Sequence, residues 1–204
     1  MGKVIVPIVE GYGEVEAVPN LIRRILNEKG AYDLAVRKPI RQSRGKLCKD
    51  EGLLNALRFA AMEDDCGAIV VIIDADDDPP CILGPELLRQ TARAFSHIPI
   101  WVELANKEFE AWFIAGIESL AGYRGIPSGI QRPEDPEDIR DAKGWLDKIL
   151  EYGWSYSETI DQAKYAFHFD YRAASTHSRS LRRFISIIEG IIRRLQIMNT
   201  TGSF

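Results

Sequence analysis

The run Ala68-Ile69-Val70-Val71-Ile72-Ile73 leads straight into Asp74-Ala75-Asp76-Asp77-Asp78. An unbroken stretch of Val and Ile reads as a strand buried on both faces, which places it inside a mostly parallel sheet. Side chains alternate across a strand, so Asp74 and Asp76 are expected to leave its end on the same side. Like charges held close together raise the energy of their ionised forms unless a cation neutralises them. Mg²⁺ and Mn²⁺ are hard cations that prefer such oxygen ligands. The strand end therefore reads as a metal site resting on Asp74 and Asp76. Asp77 and Asp78 are open to three readings (ligand, helix cap or exposed acid), and Asp78 stays in the candidate ligand set.

Residues 3–9 repeat the buried-strand pattern and meet Glu10. Gly11 and Gly13 then permit a tight turn, and Val15, Val18, Leu21, Ile22, Ile25 and Leu26 carry helical periodicity over residues 14–27. Gly30 is the expected stop. A short strand over 33–36, a polar irregular segment over 37–49 and a helix over 53–62 precede the central strand. Pro79, Pro80, Gly84 and Pro85 mark a loop, followed by a helix over 86–95, a strand over 98–104 and a helix over 109–117. This alternation predicts an α/β fold, a mostly parallel sheet flanked by helices. Beyond Gly122 only loops and helical patterns recur, over 145–150, 157–167 and 180–195. The expected organisation is an α/β core over residues 1–120, with a helical C-terminal extension over 121–204 packed on it as one structural unit.

With 204 residues, 46% of them apolar, the chain can bury one substantial core. Its net charge of −4 gives no global attraction to nucleic acid, so any such role rests on local patches. Cys48, Cys66 and Cys81 lack metal-site spacing and read as reduced thiols. No window approaches the roughly 18 apolar residues of a membrane span. The apolar run over 4–9 is too short for a signal peptide. A soluble cytoplasmic protein without a membrane partner is the expectation.

In open parallel sheets, ligands bind outside the carboxyl ends of the strands. If the first strand neighbours the Asp74 strand, Glu10, Glu14, Asp74 and Asp76 converge there. Glu110 follows the strand over 98–104 and belongs to the same edge, either as a site residue or as an exposed first-turn acid. The Glu10 turn matches neither GxxxxGK[ST] nor GxGxxG. Residues 37–49 hold six cations and no acid, a phosphate-binding candidate through Lys38, Arg41, Arg44 and Lys46. A second basic cluster, Arg179, Arg182 and Arg183, opens the last helix. Cations there oppose the helix dipole and need compensation, from phosphate or from the acidic core. Gln162, Ser178 and Ser180 either line the cleft or stitch helices to the core, and stitching is the expectation.

Several segments stand out together: Val9-Glu10-Gly11-x-x-Glu14, Ile73-Asp74-x-Asp76 and Asn106-Lys107-Glu108-Phe109-Glu110-Ala111-Trp112-Phe113. To these add Ala142-Lys143-Gly144-Trp145-Leu146, Thr159-Ile160-Asp161-Gln162-Ala163 and Ser178-Arg179-Ser180-Leu181-Arg182-Arg183-Phe184. The set resembles the TOPRIM-like domain of unknown function 4276 family. More broadly it is similar to the TOPRIM domains of topoisomerases, primases, small ribonucleases and overcoming-lysogenization-defect nucleases.

The resemblance implies a TOPRIM-like (Rossmann-like) fold and Mg²⁺- or Mn²⁺-dependent hydrolysis of nucleic-acid phosphodiesters by a nuclease. In that reading Glu10, Asp74 and Asp76 are catalytic metal ligands and Glu14 joins them. Two ions would activate a water and stabilise the leaving oxygen; alternatively, crowding would keep Glu10 protonated as a general acid. Lys107 would neutralise developing charge, or is an ordinary surface lysine. The implied partners are nucleic acid, DNA ahead of RNA, and an AAA or SMC-like ATPase in phage defence. Strand passage is not expected, because topoisomerases carry their nucleophilic Tyr on a separate DNA-binding domain. The rival reading is a non-catalytic metal- or partner-binding subunit of an ATPase complex. A nucleotide-sugar transferase, whose Asp-x-Asp holds Mn²⁺, is opposed by the Glu10-Gly11-x-x-Glu14 turn. A haloacid-dehalogenase phosphatase would need Thr or Val where Asp78 stands.

Overall fold

The apolar run becomes β4 (Cys66–Asp74), buried from Gly67 to its last residue. In the computed structural model, which describes residues 3–92, 95 and 97–201, β4 lies between β1 (Val4–Val9) and β5 (Ile100–Ala105). Two short strands complete the other side of β1. These are β2 (Ala35–Val36), against Val4 and Ile5, and β3 (Ile40–Arg41), against Ile8 and Val9. Every pairing is parallel. Pro39 precedes β3 and has no N–H to add to a ladder, which suits the break between the two short strands.

Strand alternation sorts the apolar side chains into two cores, one on each face of the sheet. Val4, Val6, Ile8, Ile69, Val71, Ile73, Val102 and Leu104 meet α2 (Arg44–Leu47), α3 (Asp50–Ala61) and α4 (Pro80–Ala92). Ile5, Val9, Ala68, Val70, Ile72 and Ala105 face the other helices. These are α1 (Glu14–Glu28), α5 (Ala111–Ala115), α6 (Ala142–Ile149), α7 (Glu158–His168), α8 (Tyr171–Ser175) and α9 (Arg179–Thr201). The result is a three-layer α/β sandwich. Its second core runs without a break from the sheet through Trp112 and Phe113 to Leu181, Phe184, Ile188 and Leu195. There α7 packs along α1, and α9 against β5 and α1. Among the described residues no helix is long and apolar enough to cross a membrane.

Several elements differ from the sequence expectation. The segment over 37–49, read as irregular, contains β3 and the single turn α2. The loop expected around Pro79 to Pro85 is already helical: α4 begins at Pro80, and proline suits a first helical position because the missing N–H has no intrahelical acceptor there. The helix over 109–117 shortens to α5 and is followed by a 3₁₀ turn, Ile117–Leu120. Part of the 86–95 expectation lies outside the described residues.

Candidate carboxylate site

The register that sets Ile8 opposite Val71 brings the carboxyl ends of β1 and β4 side by side. Glu10 leaves β1 with its Oε2 3.4 Å from the Asp74 N–H. Glu14, in the first turn of α1, folds back so that its Oε2 accepts from the Glu10 N–H at 3.0 Å. Asp74 ends β4, and its Oδ1 accepts from the Phe109 N–H at 2.8 Å. That bond ties β4 to the loop after β5, which also delivers Glu110. The Glu110 Oε1 accepts from Tyr156 Oη at 2.9 Å and from Gln162 Nε2 at 2.7 Å. Its Oε2 is buried with no hydrogen-bond partner. Glu14, Asp74 and Glu110 are all buried.

The glycines of the first turn serve this packing more than the turn itself. Gly13 has an ordinary φ of −68°. A Cβ at Gly13 would lie 2.3 Å from the Glu158 carbonyl oxygen and 2.5 Å from Gln162 Oε1. One at Gly11 would lie 2.9 Å from Glu158 Oε1. Their missing side chains let α7 seat Gln162 against the start of α1.

Gathering carboxylates in low dielectric has the expected electrostatic consequence. Burial, then the neighbouring acids Glu14, Glu110 and Glu10, push the Asp74 carboxyl well above its usual range. Glu14 is raised by burial, with Glu10 and Glu110 adding repulsion. Glu110 is raised by its burial. Glu10 rises mainly through burial, and Asp76 contributes. Lys143 is a cation whose charge these acids favour. Burial pulls its ammonium down, but Glu110, Glu158 and Asp74 outweigh that and raise its pKa. Its Nζ lies 3.3 Å from Glu158 Oε2.

Asp76 and Asp78 are placed differently. β4 ends at Asp74, and Asp76 has a φ of +51°, so strand alternation does not extend to it. Asp76 Oδ2 lies 3.1 Å from Arg44 Nε, and Asp78 pairs with Arg44 Nη2. Arg44 also donates to the Asp74 and Ala75 carbonyls at 3.0 and 3.2 Å. Asp77 forms an exposed pair with Arg140. Lys107 donates from Nζ to the Asp138 carbonyl at 3.1 Å.

The other basic residues divide. Arg41 donates to the Glu10 carbonyl at 3.3 Å and lies 3.8 Å over the Tyr12 ring. Lys38 and Lys46 are exposed. Around the start of α9, Arg183 Nε reaches the buried Glu103 at 3.1 Å, Arg182 donates to the Ser175 carbonyl, and Arg179 lines a surface cavity with Asn106. Compensation for the cations at this helix start comes from an acid. Glu137 Oε1 accepts from Ser178 Oγ, Ser180 N and Ser180 Oγ. Ser180 Oγ in turn accepts from Trp112 Nε1 at 2.7 Å and Asn106 N at 3.2 Å. Ser178 and Ser180 are thus stitches, as expected, whereas Gln162 belongs to the carboxylate group.

The donor chemistry suits a hard divalent cation: four carboxylates, three of them buried, and one orphaned oxygen on Glu110. As placed, no group of three His, Cys, Asp or Glu among the described residues stands ready to hold an ion. Glu14, Asp74 and Glu110 are each engaged by a hydrogen-bond donor of the protein instead. Sequence reasoning missed Lys143, Tyr156 and Glu158 as members. The signal for Lys143 was present: a lysine in the first turn of a helix opposes the dipole unless acids face it.

A family model described as a domain of unknown function (DUF4276) matches residues 9–189. No curated protein and no solved structure matches the chain.

Proposed function

The chain belongs to the DUF4276 family, and we propose that its acidic strand edge is a divalent-cation site used to hydrolyse nucleic-acid phosphodiesters, a TOPRIM-type nuclease centre. One observation carries the reading: Glu10, Glu14, Asp74 and Glu110 converge at the carboxyl edge of a parallel sheet, where their burial and mutual repulsion call for a cation. These four residues would hold Mg²⁺ or Mn²⁺. The bound ion would supply Lewis-acid activation of a phosphoryl oxygen and of water.

The chain's own residues prepare this. The Phe109 N–H fixes the Asp74 carboxylate, and Tyr156 and Gln162 fix Glu110. Arg44 neutralises Asp76 and Asp78, which would otherwise repel a polyanion at the mouth. The exposed Lys38, Arg41, Lys46 and Arg179 would offer cations for the phosphate backbone. By resemblance to TOPRIM nucleases, the proposed substrate is a nucleic acid, DNA ahead of RNA, and the proposed partner is an AAA or SMC-like ATPase.

A second reading has its own support. The acids are tied up by protein donors and are not arranged as a ligand set among the described residues, which suits a non-catalytic subunit whose edge binds a partner. Incubating labelled single- and double-stranded DNA and RNA with Mg²⁺ or Mn²⁺ separates the two. The nuclease reading expects cleavage that needs the metal and is lost in Asp74→Ala and Glu10→Ala. No cleavage of any substrate, with tight binding to an ATPase, favours the subunit.

A further inference from the structure

Tyr12 lies in the turn between Glu10 and Glu14 with 65% of its surface exposed. A ring left in water adds little to the core, so burial gives no reason for an aromatic residue here. Its neighbours Gly11 and Gly13 carry no side chain to cover it. The ring is nonetheless held in place. β3 pairs Arg41 with Val9, the residue before Glu10, and the Gln42 N–H donates to the Val9 carbonyl at 2.9 Å. From that position the Arg41 guanidinium donates to the Glu10 carbonyl at 3.3 Å and lies 3.8 Å over the centre of the Tyr12 ring. One face of the ring is thus taken by a cation. Among the described residues no second cation and no aromatic ring stacks on Tyr12.

We propose that Tyr12, braced by Arg41, is a stacking platform for an unpaired base, so that the acidic edge takes single-stranded nucleic acid in preference to duplex. This rests on the nucleic-acid reading above and names its substrate class. A base inside a duplex already stacks on its neighbours and offers no face to an outside ring, whereas an unpaired base does. Every base has a π-face, so such a contact is open to any sequence. It also supplies affinity beyond phosphate contacts. That matters in a chain of net charge −4 whose acids gather at this edge, where a polyanion meets repulsion. The cation over one face of Tyr12 holds the ring through its quadrupole and leaves the other face for the base. Because the same guanidinium is bonded to the Glu10 carbonyl, the stacked base is fixed beside the residue that opens the carboxylate group.

The test is binding of labelled oligonucleotides by fluorescence anisotropy, in EDTA and again in Ca²⁺ as a hard cation. The probes are single-stranded oligo(dT), single-stranded oligo(rU), an abasic strand with the same number of phosphates, and a duplex. They are measured with wild type, Tyr12→Ala, Tyr12→Phe and Tyr32→Ala, the last an exposed tyrosine outside this turn. Circular dichroism checks each fold, and the abasic strand tests the platform on the unaltered chain. Tyr12→Ala is expected to weaken single-strand binding roughly tenfold and to leave abasic and duplex binding unchanged. Wild type is expected to lose a similar factor on the abasic strand, while Tyr12→Phe and Tyr32→Ala bind like wild type. A loss confined to the dT or to the rU strand supports the platform and assigns the base to DNA or to RNA. Equal single-strand binding by wild type and Tyr12→Ala, equal binding of abasic and base-bearing strands, or tighter binding of duplex overturns the platform and leaves the nucleic-acid reading standing. Tyr12-dependent binding without cleavage in Mg²⁺ or Mn²⁺ keeps the platform and overturns the nuclease reading. No binding of any probe by wild type overturns both.

Discussion

Glu103 sits inside β5 with 1% of its surface exposed, facing Arg183. Burial, opposed in part by Arg183, pushes its carboxyl up to about 8. Between the ordinary value of 4.5 and about 8 the folded chain therefore keeps a proton that the unfolded chain has lost. Stability then falls as pH rises through that window, and is fully present below it. Glu103→Gln is expected to flatten the decline of unfolding free energy between pH 5 and pH 8, at most by about 1.4 kcal/mol per pH unit. Thermal unfolding across that range checks it, and an unchanged slope would remove Glu103 from the account. Glu10, Glu14, Asp74 and Glu110 were legible as neighbours because each ends a strand or opens the helix after it. Glu103 was not: it lies inside a strand, and Arg183, which faces it, comes from the helix over residues 179–201, far along the chain.

Among the elements, the contact between α1 and α7 depends on what Gly13 lacks. Gly13→Ala would drive a methyl into the Glu158 carbonyl and the Gln162 amide. A loss of about 1–3 kcal/mol is expected in urea unfolding, from overpacking against backbone. Gln162 would also lose its grip on Glu110, so a neutral result would contradict the close approach. At the start of α9, Glu137→Ala removes the acceptor shared by Ser178 and Ser180. It is expected to cost about 1–3 kcal/mol, with a shift in the fluorescence of Trp112, whose indole N–H ends the same chain. Helix and strand types were readable from periodicity where an element was long. The five residues of α8 and four of α2 are too few to show a period, and both stayed hidden.

For the whole molecule, parallel pairing and helices on both faces followed from the alternation of strand and helix patterns. The strand order, with β1 against β4, did not follow from it and was needed before Glu10 and Asp74 could be called neighbours. Long-range partners such as Tyr156 and Gln162 reach Glu110 across 46 and 52 residues of chain, which local patterns do not encode. The helices after residue 120 share with α1 and α5 the core on one face of the sheet, which includes Ala68, Val70 and Ile72. A chain ending at residue 120 would expose much of that core, and it is expected to show no cooperative thermal transition; a sharp one would contradict the shared core. The claim on which the rest depends is that the edge pocket takes a divalent cation. The most direct measurement is a crystal structure grown with Mn²⁺ and its anomalous difference map. The account predicts a peak about 2.0–2.6 Å from oxygens of at least two of Glu10, Glu14, Asp74 and Glu110. A map with no peak in that pocket, or with Mn²⁺ only on the exposed Asp76 and Asp78, would contradict it.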